Sequence, residues 1–178
     1  MNWPNKLTIL RIILVPIFIM AILYHRLNLA FLIFILASVT DALDGYIART
    51  FAQKTRFGTV MDPIADKLLV GSAFLCFSLV NGLPEYIKMP IYVPLIVISR
   101  DVIILLGAMG IYLVNGGHID VKPTVLGKLT TFFQMLTIIV LLLRFIYSNW
   151  IWNITVLFTL VSGLDYIRIG MKELNGKS

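Results

Sequence analysis

The chain has 178 residues, 59% of them hydrophobic and only 13% charged, with a mean hydropathy of +0.92. That composition excludes an ordinary soluble domain and a disordered chain, and the single cysteine, Cys76, excludes a disulfide-stapled scaffold. The net charge of +6 is scattered between apolar runs, which argues for anionic lipid headgroups and against nucleic acid as the partner.

A helix needs about twenty mostly apolar residues to cross a bilayer. Six runs qualify, at 7–24, 29–49, 61–81, 89–114, 125–147 and 151–170. The breaks between them, at 25–28, 51–58, 82–88, 115–123 and 148–150, are polar or carry Pro and Gly. The pattern predicts an all-α integral membrane protein with six transmembrane helices, a short N-terminal interfacial segment and a single domain over 1–178. The first run is too long and too charged for a cleaved signal peptide. There is no internal repeat.

Basic residues orient the chain. Lys6, Arg11, Arg49, Lys54, Arg56, Lys122, Lys128, Arg168, Lys172 and Lys177 fall on one side, with Arg26, Lys88 and Arg144 opposite. The basic side is expected to be cytoplasmic, with both termini, in the cell membrane.

Four of the nine acidic residues, Asp41, Asp44, Asp62 and Asp66, fall in one short window. Asp41 and Asp44 are three apart, and Asp62 and Asp66 four apart, so each pair shares a helix face. Carboxylates are costly in a membrane and need a partner. Hard divalent cations suit them, so Mg²⁺ or Mn²⁺ is expected, with enough acids for two ions. An acid free of metal could accept a proton. Gly45, Gly58 and Ala48 are small enough to admit a ligand, or equally to pack helices, and Arg49 can fork onto phosphate.

The run Asp41-x2-Asp44-Gly45-x2-Ala48-Arg49-x8-Gly58-x3-Asp62-x3-Asp66 resembles the signature of the CDP-alcohol phosphatidyltransferases at every fixed position. The resemblance implies transfer of a phosphatidyl group from CDP-diacylglycerol to an alcohol, with release of CMP, by an enzyme that is commonly a homodimer. It implies that Asp41, Asp44, Asp62 and Asp66 hold the metals, with Asp66 also the general base. Gly45, Ala48, Arg49 and Gly58 would border the CDP moiety.

The N-terminal Asn5, Thr8 and Arg11 recur every third residue, in a segment similar to that of the phosphatidylglycerophosphate synthases of this family. Asn5 and Thr8 are carried over as CDP contacts, although Asn5 also reads as a helix cap. Arg11 lies in an apolar run and should have an acidic partner. In the fourth run Arg100 and Asp101 should face the bundle interior or a wet cavity, but as neighbours on a helix they should not pair with each other. Gly127-Lys128-x-x-Thr131, with Gln134, resembles a segment whose Lys helps receive the acceptor's phosphate. Arg100 and Lys128, with Arg11 and Arg56 behind them, are therefore the candidate acceptor-binding residues.

These features favour glycerol 3-phosphate as acceptor. The Ser99-Arg100-Asp101 and Lys122-Pro123-Thr124 segments, and the lack of a second Arg in the fourth run, look more like cardiolipin synthases, which use phosphatidylglycerol. An ion-coupled transporter is the remote alternative, and it would predict a repeated half or broken helices, for which the sequence has no sign.

Overall fold

The computed structural model describes the backbone of residues 3–50, 56–114 and 124–175, with side chains chiefly over 8–41, 64–110 and 124–171. Every described element is helical: α1 (Trp3–Leu23), α2 (Leu27–Thr50), α3 (Arg56–Leu79), α4 (Tyr92–Val114), α5 (Val125–Leu142) and α6 (Ser148–Asn175). A single 3₁₀ turn, Glu85–Ile87, precedes α4.

Among the described residues, Glu85–Gly107, Val125–Leu142 and Ser148–Met171 are long and apolar enough to cross a membrane, and Thr8–Leu23 and Leu27–Asp41 are shorter apolar stretches. Large apolar side chains such as Leu32, Leu95, Leu106 and Leu157 are mostly exposed, which lipid but not water would tolerate. The chain is an all-α integral membrane protein.

Two boundaries differ instructively from the hydropathy pattern. α1 starts at Trp3, so the expected interfacial segment is continuous with the first helix. Pro4 falls in the first helical turn, where a missing N–H breaks no bond. α5 stops at Leu142 although the apolar run continues to Tyr147. Arg144 adopts φ 58°, and the amides of Arg144 and Phe145 turn back onto the carbonyls of Leu141 (3.0 Å) and Val140 (3.1 Å). The same left-handed cap ends α1, with His25 at φ 56° and the amide of Arg26 bonding the Ala21 carbonyl at 2.8 Å. Hydropathy misses such a stop because lipid accepts apolar residues in a loop near the interface as readily as in a helix.

α1 and α2 pack antiparallel through buried Phe18 and Phe34, whose ring centroids are 6.0 Å apart. Ala30 and Ala37 of α2 and Ala73 of α3 are fully buried and let the helices approach closely. α5 and α6 are joined by hydroxyls as well as by hydrocarbon, where Phe133 stacks on Phe158 with ring centroids 4.7 Å apart. Thr130, Gln134 and Thr137 on one helix and Thr155, Thr159 and Ser162 on the other are all essentially inaccessible. Thr137 and Thr155 share a 2.7 Å hydrogen bond, and the Thr130 hydroxyl donates to the Phe158 carbonyl at 3.1 Å. α4 runs parallel to α6, tied near its start by the Tyr92 hydroxyl donating to Asn153 (3.0 Å) and a little further along by Arg100 donating to Ser162. At the end where α1 and α5 terminate, Arg144 donates to Asn28 at 3.3 Å.

Removing the buried ring in Phe34→Ala is expected to cost about 3–5 kcal/mol, whereas Leu32→Ala, on the lipid face, should stay within about 0.5 kcal/mol. Reversible unfolding in mixed micelles checks both.

Candidate active site

Each helix delivers a polar side chain to the end of the bundle opposite Arg144. α1 brings Thr8 and Arg11, α2 brings Asp41, α3 brings Asp66 and Lys67, α4 brings Arg100 and Asp101, α5 brings Lys128, and α6 brings Ser162 and Tyr166. On α2 and α4 these residues lie well before the helix ends, so both helices extend past the site by about 14–20 Å at 1.5 Å per residue.

On one side of the site, Arg11 is buried to 1% and its guanidinium meets a carboxylate oxygen of the half-exposed Asp41 at 2.7 Å. The acidic partner expected for Arg11 is therefore the first aspartate of the motif. Asp66 is half-buried on α3, and the charges of Lys67, Asp41, Arg11 and Asp101 all reach it. Among the described residues no group of three metal-ligating side chains is assembled. Asp44 lies within α2, and Asp62 within α3, each one turn from its described partner. Their side chains, with those of Asn5, Gly45, Ala48, Arg49, Arg56 and Gly58, lie outside the described ones.

On the other side is a cavity of about 540 Å³ lined by Lys67, Arg100, Asp101, Ile104, Leu105, Gly127, Lys128, Thr131 and Tyr166. Arg100 and Lys128, singled out from sequence far apart in the chain, meet here. Arg11 is not among the lining residues.

The expectation that Arg100 and Asp101 do not pair is wrong. Arg100 Nη1 donates to Asp101 Oδ1 at 2.8 Å, and both residues are buried. Helix geometry separates adjacent Cβ atoms, but the long arginine stem swings the guanidinium back to its neighbour. Burial makes that closure worthwhile, because charges attract more strongly away from water. The other oxygen, Oδ2, takes Lys67 Nζ at 2.9 Å. Arg100 is further held by Ser162, by the Tyr166 ring 5.4 Å from its guanidinium carbon, and by Gly163, which leaves room for its stem.

Sequence reasoning missed Lys67, Ser162 and Tyr166. The available signal was the 4-3-4 spacing of Thr155, Thr159, Ser162 and Tyr166, a polar stripe on an apolar helix. Tyr166 also explains Gly127: a Cβ there would meet the Tyr166 hydroxyl at 2.8 Å. Thr124 caps α5 by accepting from the Gly127 amide at 3.0 Å, which fixes this corner.

A helical membrane protein with carboxylates beside a basic cavity, at one end of its bundle, is built to handle an anionic headgroup at a membrane surface. The chain belongs to the CDP-alcohol phosphatidyltransferase family, whose model matches residues 1–161. It is 33% identical to the CDP-diacylglycerol–glycerol-3-phosphate 3-phosphatidyltransferase of Bacillus subtilis, over 93% of each chain. A protein of the same name from Rickettsia felis is 36% identical over 80% of this chain and 75% of its own length. A probable phosphatidylglycerophosphate synthase of Mycobacterium tuberculosis is 30% identical over 98% of this chain and 84% of its own. The protein is an enzyme, a phosphatidyltransferase of phospholipid biosynthesis.

Gly127→Ala should push Tyr166 from its seat and loosen Arg100. Phosphatidyltransferase turnover is expected to fall about 10–100-fold while the protein remains folded in detergent, as checked by a CMP-release assay beside size-exclusion chromatography.

Proposed function

We propose that the enzyme transfers the phosphatidyl group of CDP-diacylglycerol to glycerol 3-phosphate, giving phosphatidylglycerophosphate and CMP. The observation that carries this reading is the convergence of Arg100 and Lys128 on one cavity beside Asp66. The names of the relatives above agree with it. In the same reading the six helices all cross the cell membrane and both termini are cytoplasmic. The whole chain, 1–178, acts as one domain and assembles as a homodimer.

Arg100 and Lys128 would hold the acceptor's phosphate as charge-assisted donors. Asp66 takes the proton from the acceptor hydroxyl, whose oxygen bonds to the phosphatidyl phosphorus. The bond between that phosphorus and the bridging pyrophosphate oxygen breaks, and CMP leaves with that oxygen and the electron pair. Asp41, Asp44, Asp62 and Asp66 form an all-oxygen donor set suited to Mg²⁺ or Mn²⁺, and the ions would neutralise the pyrophosphate and ease departure of CMP. Arg11 holds Asp41 in place for this role. Gly45, Ala48, Arg49, Gly58, Asn5 and Thr8 would border the CDP moiety, and Arg56 would add positive charge near the acceptor.

The test is an acceptor assay with purified protein, Mg²⁺ or Mn²⁺ and CDP-diacylglycerol. CMP release should depend on glycerol 3-phosphate; release supported only by phosphatidylglycerol would make the enzyme a cardiolipin synthase instead. Asp66→Asn, which keeps one oxygen for a metal ion, is expected to cut turnover at least about 100-fold while largely sparing metal-dependent nucleotide binding. Asp62→Ala should weaken nucleotide binding itself, by isothermal titration.

A further inference from the structure

Lys67 does not belong to the acceptor residues assigned above, and yet it lines the same cavity as Arg100 and Lys128. Its ammonium has three N–H donors, of which Asp101 takes one at 2.9 Å. Arg100 is likewise incompletely used: one terminal nitrogen faces Asp101 and the other Ser162, while its buried Nε has no partner among the described residues. A buried cationic donor left without an acceptor is costly, and an incoming oxyanion would relieve that cost. Three cations and one carboxylate line the cavity, for a net charge of +2. That balances a phosphomonoester dianion and exceeds what a phosphodiester carries.

We propose that Lys67 is a third phosphate-binding cation of the acceptor site, and that Asp101 is the positioning residue that holds Lys67 and Arg100 at a common spacing. This rests on the glycerol 3-phosphate reading and deepens it. Arg100 of α4 and Lys128 of α5 are joined in the cavity by Lys67 of α3. Asp101 offers one oxygen to each cation, which sets the spacing between them. The chain neighbour of Lys67 is Asp66, the proposed proton acceptor. A phosphate held at Lys67 therefore brings the acceptor hydroxyl to the carboxylates and not elsewhere in the cavity. Lys67 and Asp101 also border an apolar groove with Val15, Ile19, Leu68 and Ile98. The pair thus marks the boundary between the headgroup cavity and a hydrocarbon wall.

Steady-state kinetics of the full chain in detergent micelles test the proposal. Lys67→Met, which keeps the apolar stem, should raise KM for glycerol 3-phosphate about 10–100-fold while KM for CDP-diacylglycerol moves less than about twofold. Lys67→Arg should recover most of the loss. Asp101→Asn should raise the same KM, and Lys67→Met/Asp101→Asn should be no worse than the weaker single variant, because the two act as one unit. If Lys67→Met leaves the acceptor KM within about twofold, or raises both KM values alike, the role of Lys67 is overturned. In the wild-type enzyme, saturating glycerol 3-phosphate with CMP should protect Lys67 from an amine-acylating reagent, read by mass spectrometry. Equal labelling with and without it overturns the role even where a variant fails to fold. A wild-type enzyme inactive with glycerol 3-phosphate would overturn the acceptor reading instead, which separates the two failures.

Discussion

The carboxylate of Asp101 joins three helices through two oxygens. One oxygen binds Lys67 of α3, the other binds Arg100 of its own helix, and Arg100 passes the connection to Ser162 of α6. In a bundle whose outer surface faces hydrocarbon, apolar side chains gain nothing by preferring one helix to another, since lipid is as apolar as leucine. Specific pairing has to come from groups that lipid cannot satisfy. Asp101 is such a group, and so is the Arg11–Asp41 pair that locks α1 to α2. The charges proposed for the chemistry are also charges that align the helices.

The hydroxyl seam between α5 and α6 extends the same logic away from the site. Thr137 bonds Thr155, Thr130 bonds the backbone of α6, and the polar stripe ends at Tyr166, beneath Gly127 and beside Arg100. Small polar residues bring the two helices close and set their rotation, so Lys128 and Arg100 reach the same cavity from different helices. Between α1 and α2, the buried Phe18, Phe34 and their alanine neighbours add complementary shape to the Arg11–Asp41 pair.

Much of this was legible in advance. Apolar runs located the six described helices to within about five residues, although the break expected at 148–150 falls inside α6, because hydrophobic length and period mark a helix in the sequence. The aspartate motif pointed to the correct family, since that spacing of carboxylates and small residues is long and specific. Where the reading failed, it failed on reach. Arg100 and Asp101 were judged from Cβ directions, whereas the arginine stem spans the gap. The end of α5 was judged from hydropathy, whereas a left-handed Arg144 stops it in the midst of apolar residues.

Sequence alone determined the class of molecule, the helices among the described residues and the acidic motif, because those depend on local properties: hydrophobic length, helical period and fixed spacing. Tertiary structure alone decided which cations share a cavity and what each carboxylate holds. Lys67 follows Asp66 in the chain, and nothing local distinguishes it from an interfacial lysine. Only the packing of α3 against α4 carries its ammonium to Asp101, because ion pairing depends on distance through space, which the order of residues does not record.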